Sequence, residues 1–374
     1  MKLVSAQLDE IELPLVEPFE TSFGVERRRR LLLLTLRDDR GEEGFAECVA
    51  ARDPLYSSES VATARWMLGT YLVPALFRSP LSGPPDFLDR VRGLKGHPMA
   101  KASVEMALWD LWAKERRCSL ARALGARRGR VEVGVSVGIQ PTADALVRRV
   151  GEYLDDGYRR VKLKVRPGWD QEPVRAVRRA YPDLRLWVDA NQAYPPRAAP
   201  QIARWAVRYR VEQVEQPFPE HALGAHARLH RYHRFRVCLD ESIVDLSSLD
   251  DAIDRAAISS LNVKPGRVGG LTMARDLQRR AGRAGIPAWV GGMLETGVGR
   301  AHAVALAALP HFTFPADLSA SRRYYRAEII DHPFELGPGS TLSVPRGAGI
   351  GVSVEERAVA RHRVRSHRFR APGR

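Results

Sequence analysis

Short apolar runs alternate with helical patterns along most of this chain. Eight runs have the length and composition of strands, and segments with apolar residues three and four positions apart lie between them. The eight runs are VEVGVSVGI (131–139), RRVKLKV (159–165), LRLWVDAN (184–191), VEQVEQPF (211–218), FRVCLDES (235–242), SSLNVKP (259–265), PAWVGGM (287–293) and HFTFPADL (311–318). Such alternation predicts an α/β fold of the TIM type, a closed (β/α) barrel, rather than an open sheet.

The residues on either side of this repeat predict further structure. Residues 1–50 have the pattern of a strand meander, and residues 102–114 that of an amphipathic helix. We therefore expect an α+β domain at 1–127, a barrel at 128–320 and a C-terminal segment at 321–374 that returns to the first domain. The end of that segment is rich in arginine and almost without apolar residues after Val364, so we expect it to fray.

Five charged residues recur at nearly constant spacing through the repeat. They are Lys164, Asp189, Glu215, Asp240 and Lys264, separated by 25, 26, 25 and 24 residues. Each lies at or near the end of a predicted strand. In a (β/α)8 barrel the C-terminal ends of the strands converge on one mouth, where such enzymes keep their chemistry. The spacing therefore indicates two amines and three carboxylates at a single mouth.

The three carboxylates indicate a metal site. Asp189, Glu215 and Asp240 end consecutive strands, and three neighbouring anions repel one another unless a cation binds between them. Ligation by carboxylates without cysteine or histidine favours a hard ion, Mg²⁺ or Mn²⁺. The alternative is a set of separate ion pairs with arginines.

The two amines indicate acid/base chemistry. Lys164 and Lys264 come from strands 2 and 6, which lie opposite each other in a ring of eight. A substrate carboxylate at the metal would present its α-carbon to both amines, and a divalent ion stabilises the enolate left by loss of the α-proton. Lys162 shares a strand face with Lys164, as Asn191 does with Asp189, and repulsion between the two lysines favours a neutral amine that can act as a base. The alternative for this lysine pair is capping of carbonyl groups at the barrel end.

Charge and cysteine usage narrow the class of protein. The formal net charge is +15, which is compatible with nucleic-acid binding, but the arginines are spread over the whole chain and only the C-terminal tail could form a basic arm. Only seven of the 59 basic residues are lysines, and three of those lie at the predicted mouth. The three cysteines show neither disulfide nor zinc spacing, which fits a reducing cytoplasm. No apolar run is long enough to span a bilayer.

A second motif points to a different chemistry. Residues 134–138, GVSVG, match the G-x-S-x-G nucleophile elbow of hydrolases, but that motif requires a sharp turn between a strand and a helix. Here it lies inside a predicted strand. We therefore expect Ser136 to hydrogen-bond a ligand rather than to act as a nucleophile.

The strand-end residues together resemble those of the enolase superfamily, muconate-lactonizing subgroup. The segments that carry this resemblance are Lys162-Leu163-Lys164, Asp189-Ala190-Asn191, Glu215-Gln216-Pro217, Asp240-Glu241-Ser242 and Asn262-Val263-Lys264-Pro265-Gly266-Arg267-Val268-Gly269-Gly270. Further segments resemble the o-succinylbenzoate synthase / N-succinylamino acid racemase (N-acylamino acid racemase) family. They are Phe19-Glu20-Thr21-Ser22-Phe23-Gly24, Gly134–Ile139, Gly291-Gly292-Met293-Leu294-Glu295, Gly299-Arg300-Ala301-His302 and Ser319-Ala320-Ser321.

The resemblance implies a modified (β/α)7β barrel with an N-terminal α+β capping domain, whose loop around 19–24 closes the site. It implies Mg²⁺ bound by Asp189, Glu215 and Asp240, with Lys164 and Lys264 as the acid/base pair. The residues expected to bind or support the substrate are Lys162, Asn191, Ser136, Phe19, Phe23, Tyr56, Gly292, Met293, Leu294 and Ser319.

Two activities remain open on these residues. One is dehydration of a cyclohexadiene carboxylate to o-succinylbenzoate in menaquinone biosynthesis, and the other is racemisation of N-succinylamino acids; one protein could perform both. Dipeptide epimerases carry a D-x-D after strand 8, whereas here Asp317 is followed two residues on by Ser319. We expect a cytoplasmic enzyme whose partners are a small carboxylate substrate and other copies of the chain in a homo-oligomer, with no nucleic acid and no membrane.

Overall fold

The structure is a computed structural model that describes residues 1–372. An antiparallel sheet and a group of helices form its first unit, which we call the cap. The strands of the cap are β1 (Leu3–Glu20), β2 (Val25–Asp38), β3 (Glu43–Cys48) and β13 (Arg363–Arg370), in the sheet order β13-β1-β2-β3. Its helices are α1 (Val61–Met67), α2 (Val73–Leu76), α3 (Pro84–Arg90), α4 (Pro98–Glu115) and α5 (Leu120–Leu124), with a π-helical turn at Leu68–Leu72.

The second unit is a parallel sheet of seven strands that alternates with helices. Its strands are β5 (Val135–Val137), β6 (Arg160–Lys164), β7 (Arg185–Asp189), β8 (Gln213–Glu215), β9 (Arg236–Leu239), β10 (Ser260–Val263) and β11 (Ala288–Val290), paired in chain order. Its helices are α6 (Ala143–Asp155), α7 (Gln171–Ala180), α8 (Ala199–Arg208), α9 (Leu223–His230), α10 (Leu246–Asp254), α11 (Leu271–Arg283) and α12 (Gly297–Ala307). In residues 1–372, no helix is both long and apolar enough to cross a bilayer.

The eighth predicted strand closes the ring through isolated bridges. Asp317 pairs in parallel with Gly291 after β11, and Ala316 pairs in parallel with Val133 before β5. The backbone N–H of Gly134 donates to the carbonyl of Ala316 over 2.8 Å. The segment therefore lies between the first and last strands of the sheet, and the predicted barrel of the (β/α)7β type is confirmed.

The C-terminal segment ends in a strand. A short two-stranded sheet joins β4 (Arg130–Glu132) to β12 (Thr341–Ser343), and α13 (Glu356–His362) leads into β13. The prediction of a frayed basic end is wrong for Arg363–Arg370, which pairs antiparallel with β1 from Ser5 to Ile11. The pairing satisfies the backbone groups of β1, and Arg363 forms an ion pair of 2.8 Å with the buried Asp9. The domain boundaries at 127 and 320 stay predictions.

Two buried carboxylates join the cap to the barrel. Glu105 of α4 accepts hydrogen bonds from the backbone N–H groups of Leu271 (2.8 Å) and Thr272 (2.9 Å), where α11 begins. Glu47 of β3 accepts one from Gly299 (3.0 Å) in the first turn of α12. The first N–H groups of a helix lack partners within the helix, so each carboxyl group satisfies donors at a helix end. These contacts hold the cap over the C-terminal mouth of the barrel.

Candidate active site

A cavity of about 390 Å³ lies between the cap and the C-terminal mouth of the barrel. Most of the residues that the sequence predicts for a site line this cavity. From the barrel they are Ser136, Lys162, Lys164, Asn191, Lys264, Gly292, Met293 and Leu294, and from the cap they are Phe19, Phe23 and Tyr56. Side chains that are remote in sequence thus line one cavity.

The two predicted acid/base lysines reach the cavity from opposite walls. Lys164 ends β6 and Lys264 follows β10, four strands away in the sheet order. Lys164 Nζ donates to Asp189 Oδ2 and to Asn191 Oδ1, each over 2.7 Å. Lys264 Nζ donates to Asp240 Oδ2 over 2.7 Å and to the Tyr56 hydroxyl over 3.0 Å. Each amine is therefore fixed by a carboxylate and a second polar group.

Burial and charge act in opposite directions on Lys264. Burial alone would lower the pKa of its amine, but the charge of Asp240 outweighs burial and raises that pKa well above the usual value. The same competition raises the pKa of Lys162, where Asp317 and Glu215 are the main anions. The surrounding carboxylates therefore favour the cationic form of both Lys264 and Lys162.

The three predicted metal ligands lie behind the lysines and are fully buried. Asp189 and Glu215 are register partners on β7 and β8. Lys162 Nζ lies 3.1 Å from Asp189 Oδ2 and 2.8 Å from Glu215 Oε2, so one amine bridges two carboxylates. Asp240 follows β9. It forms one ion pair of 2.9 Å with the guanidinium of Arg267 and another of 2.7 Å with the amine of Lys264.

The same three carboxylates differ in how readily they ionise. Burial, reinforced by the nearby charge of Asp189, raises the pKa of Glu215 to about 7. Burial also opposes ionisation of Asp189, but Lys164 and Lys162 hold its pKa below the usual range. Lys264 and Arg267 do the same for Asp240. Lys162, Lys164, Lys264 and Arg267 thus favour the ionised form of Asp189 and Asp240, whereas burial outweighs them at Glu215.

The closing segment contributes a buried acid. Asp317 forms ion pairs with Arg160 (2.7 Å) and with Lys162 (3.0 Å), and its Oδ2 accepts a hydrogen bond from Ser136 Oγ over 2.6 Å. The serine hydroxyl is thus engaged by an acid, and no histidine lines the cavity anywhere in residues 1–372. The G-x-S-x-G match is therefore not a nucleophile elbow. This agrees with the interpretation of the sequence, in which the motif lies inside a strand.

Several strand ends at the mouth adopt left-handed backbone conformations. Asn191 has φ of 42°, Gln216 of 34° and Leu294 of 56°. Non-glycine residues rarely adopt positive φ, and such positions concentrate at functional sites. At Asn191 the conformation lets its backbone N–H donate to Asp189 Oδ1 over 3.0 Å while its side chain accepts from Lys164.

The loop between β1 and β2 covers the cavity from the cap side. Ser22 Oγ donates to the carbonyl of Asn191 over 3.3 Å, and the backbone N–H of Ile139 donates to the carbonyl of Glu20 over 2.9 Å. Phe23 packs near Tyr56, with ring centroids 6.2 Å apart. Ser319, by contrast, does not line the cavity; it is buried and its hydroxyl donates to the carbonyl of Gly134. It can support the wall but does not contact the enclosed space.

This fold and this arrangement have close counterparts among known proteins. The family "Enolase C-terminal domain-like" matches residues 145–358, and "Mandelate racemase / muconate lactonizing enzyme, N-terminal domain" matches residues 5–125. The chain belongs to the enolase superfamily.

Similar members of this superfamily carry two different names. An N-succinylamino acid racemase from Amycolatopsis sp is 47% identical over 94% of this chain and 95% of its own length. An o-succinylbenzoate synthase from Geobacillus kaustophilus is 41% identical, with 95% of this chain and 94% of that protein covered. A solved structure of an enolase superfamily member from Listeria innocua superimposes with a TM-score of 0.94 at 36% identity, covering 99% of this chain and 100% of that one.

Enolase superfamily enzymes generally use Mg²⁺, and the donor chemistry of this chain fits such an ion. In the part of the chain that the structure describes, no three His, Cys, Asp or Glu side chains already converge on one ion position, because lysine amines lie between the carboxylates. All three candidate ligands are nevertheless buried carboxylates, the donors that Mg²⁺ prefers. Burial is the main cause of the raised pKa of Glu215, and the charges of Asp189 and Asp240 add to it.

Other residues of the site were not predicted from the sequence. Asn262 donates to Glu215 Oε1 over 2.7 Å, and Arg267 binds Asp240. Arg160 lies two residues before Lys162 on the same strand face and binds Asp317. Strand parity is consistent with this position of Arg160, but no sequence signal marked it as a site residue or identified its partner.

Proposed function

We propose that this chain is an o-succinylbenzoate synthase, which dehydrates a cyclohexadiene carboxylate to o-succinylbenzoate on the route to menaquinone. The observation that carries the proposal is the pair of amines, Lys164 and Lys264, held on opposite walls of one cavity by Asp189 and Asp240. The relative named as a synthase supports it. The substrate class is a small carboxylate with a proton on the carbon next to the carboxyl group.

In this mechanism Lys164 takes the α-proton of the substrate and leaves an enolate. The protonated Lys164 then gives that proton to the departing hydroxyl, so that one water is lost and the ring becomes aromatic. Lys264 remains a cation near the developing negative charge, a role for which its raised pKa suits it. General acid/base catalysis of this kind contributes roughly 10²–10⁴ in rate.

Mg²⁺ bound by Asp189, Glu215 and Asp240 would supply Lewis-acid stabilisation to the substrate carboxylate. Asn191 orients Lys164 by accepting from its amine, and Tyr56 does so for Lys264 by accepting from Nζ. The β1–β2 loop excludes water from above.

A second activity, racemisation of N-succinylamino acids, is favoured by a specific observation: the relative with 47% identity is named a racemase of that class. The same two amines suit it, since removal of the α-proton by one lysine and return by the other inverts the carbon. In racemisation Lys264 must exchange a proton with the α-carbon on its own face of the substrate, whereas in dehydration it acts only as a cation.

The two lysines provide the test. We expect Lys164→Arg to reduce dehydration and racemisation by at least about 10²-fold, because arginine keeps the charge but cannot act as a base. Lys264→Arg should abolish racemisation but retain part of the dehydration. In D₂O, the Lys264→Arg protein should exchange the α-proton of only one enantiomer of an N-succinylamino acid, as measured by proton NMR.

The matched control is Lys2→Arg, which replaces an exposed lysine outside the site and should leave both rates unchanged. Absence of both activities in the wild-type protein with Mg²⁺ present would refute the proposed function. Equal exchange from both enantiomers in the Lys264→Arg protein would refute the assignment of one lysine to each face.

A further inference from the structure

The cap side of the cavity carries positive charge that the mechanism does not use. Arg27, Arg28 and Arg29 of β2 and Arg52 of the loop after β3 all line it. The lysines deeper in the cavity already have carboxylate partners at 2.7–3.1 Å. The arginines are therefore a second group of cations facing the same space, where Glu12, Glu26 and Asp53 of the cap also line the cavity.

Arg29 is the most unusual of these arginines because it is buried, with 3% of its side chain exposed. Its guanidinium donates to the carbonyl of Val49, and its nearest acidic atom, on Glu26, lies 3.9 Å away. Its Nε is buried and has no hydrogen-bond partner. A buried cation whose ion pair is as long as 3.9 Å, and which keeps an unused donor, is stabilised when a second anion binds beside it.

Arg28 already has a close acidic partner, and this sets it apart from Arg27 and Arg52. Arg28 forms an ion pair of 2.7 Å with Glu12. Within residues 1–372, neither Arg27 nor Arg52 has an acidic group within the 4.0 Å of an ion pair. Both are exposed at the mouth of the cavity, where an incoming ligand would meet them.

We propose that Arg27, Arg29 and Arg52, which we call the guanidinium wall, bind the carboxylate at the far end of the succinyl group of the substrate. This inference rests on the proposed function, because both candidate substrates carry a succinyl group. Their first carboxylate is the one next to the reacting carbon, and it belongs with the lysines and the metal ligands. The second carboxylate then extends toward the cap, where planar guanidinium groups match its geometry.

The wall makes the cap the part of the protein that selects the acyl group. An acyl chain of equal length without the terminal carboxylate would leave Arg29 with only its long ion pair to Glu26, so binding should discriminate against it. The preference for a terminal carboxylate should appear in the binding of substrate and of product alike, because the succinyl group does not react.

Binding of a product and its neutral-tail analogue tests this directly. We would measure Kd by titration calorimetry with Mg²⁺ present for o-succinylbenzoate and for 2-butanoylbenzoate, which carries a methyl group in place of the distal carboxylate. We expect Arg27→Gln, Arg52→Gln and Arg29→Gln each to weaken o-succinylbenzoate binding about 10-fold, and to change 2-butanoylbenzoate binding less than 2-fold. Arg37→Gln, on the same strand but paired with Glu43 outside the cavity, is the control and should change neither.

A parallel comparison uses turnover. The kcat/KM for an N-succinylamino acid should fall in the wall variants, whereas that for the N-butanoyl analogue should stay within 2-fold. Should Arg29→Gln fail to fold, the double variant Arg27→Gln/Arg52→Gln carries the same comparison. An equal loss of affinity for both ligands, or no loss for either, would overturn the proposal. Wild-type protein that binds o-succinylbenzoate through the wall but turns over neither substrate would refute the proposed function alone.

Discussion

Replacement of Asp317 by asparagine removes one buried negative charge without changing the size of the side chain. Asp317 contacts three donors: Arg160 at 2.7 Å, Lys162 at 3.0 Å and Ser136 at 2.6 Å. An amide offers only one oxygen, so its NH₂ group must face at least one of these donors. Losing one charge-assisted hydrogen bond costs about 1.5–3 kcal/mol, and breaking a buried ion pair costs about 3–5 kcal/mol. We expect Asp317→Asn to lower the free energy of unfolding by about 3 kcal/mol near neutral pH.

Urea denaturation followed by tryptophan fluorescence measures this loss, because Arg160 packs 4.5 Å from the ring centroid of the buried Trp187. The pH dependence adds a second criterion. Burial opposes ionisation of Asp317, but Lys162 and Arg160 hold its pKa well below the usual range. A lowered folded-state pKa contributes stability above the unfolded pKa of about 3.9, and that contribution is lost as pH falls. The gap between wild type and Asp317→Asn should therefore shrink by about 1 kcal/mol near pH 3.

Asp254→Asn is the control, since Asp254 is exposed at the end of α10 and should change stability by less than about 0.5 kcal/mol. A loss below about 1 kcal/mol in Asp317→Asn would show that Arg160 and Lys162 do not depend on this carboxylate. A gap that widens in acid would contradict the sign of its pKa shift.

Three further predictions concern the candidate metal ligands, the C-terminal strand β13 and the buried Glu105. Exhaustive chelation should abolish turnover and added Mg²⁺ or Mn²⁺ should restore it, because the Lewis-acid stabilisation of the substrate carboxylate is lost without the ion. Full activity after chelation would contradict this. Deletion of residues 363–374 should lower the melting temperature by several degrees, since β13 pairs with β1, and an unchanged melting curve would show that the strand contributes nothing. Glu105→Ala should lower the free energy of unfolding by about 2–4 kcal/mol in the urea denaturation assay, because it leaves the first N–H groups of α11 unsatisfied. The control is Glu115→Ala, on the same helix but partly exposed, which should cost far less in the same assay.

Local patterns in the sequence were sufficient for the type of fold and for the strand ends. The predicted runs from residue 131 to residue 293 correspond to β5–β11, with β4 at the start of the first run, because each strand and helix is specified by its own periodicity. The constant spacing of the strand-end charges followed from the length of one β/α unit. Parity along β6 also placed Lys162 and Lys164 on one face, and both line the cavity.

Long-range pairing was decided only by the tertiary structure. The basic end at Arg363–Arg370 has the composition of a frayed tail, yet it pairs with β1, more than 350 residues away in sequence. Its strand character depends on an open sheet edge that no local pattern reveals.

The sequence determined which strand ends carry the five charged residues, but the tertiary structure decided which of them meet which partners. Asp317 binds Arg160 and Lys162 because the closing segment lies between β11 and β5, and Arg29 faces a cavity because the cap rests on the barrel mouth. Periodicity fixes the face on which a side chain lies, since it depends only on the backbone of its own element. The neighbour across that face depends on ring closure and on the packing of two domains, which bring together residues that are far apart in the chain.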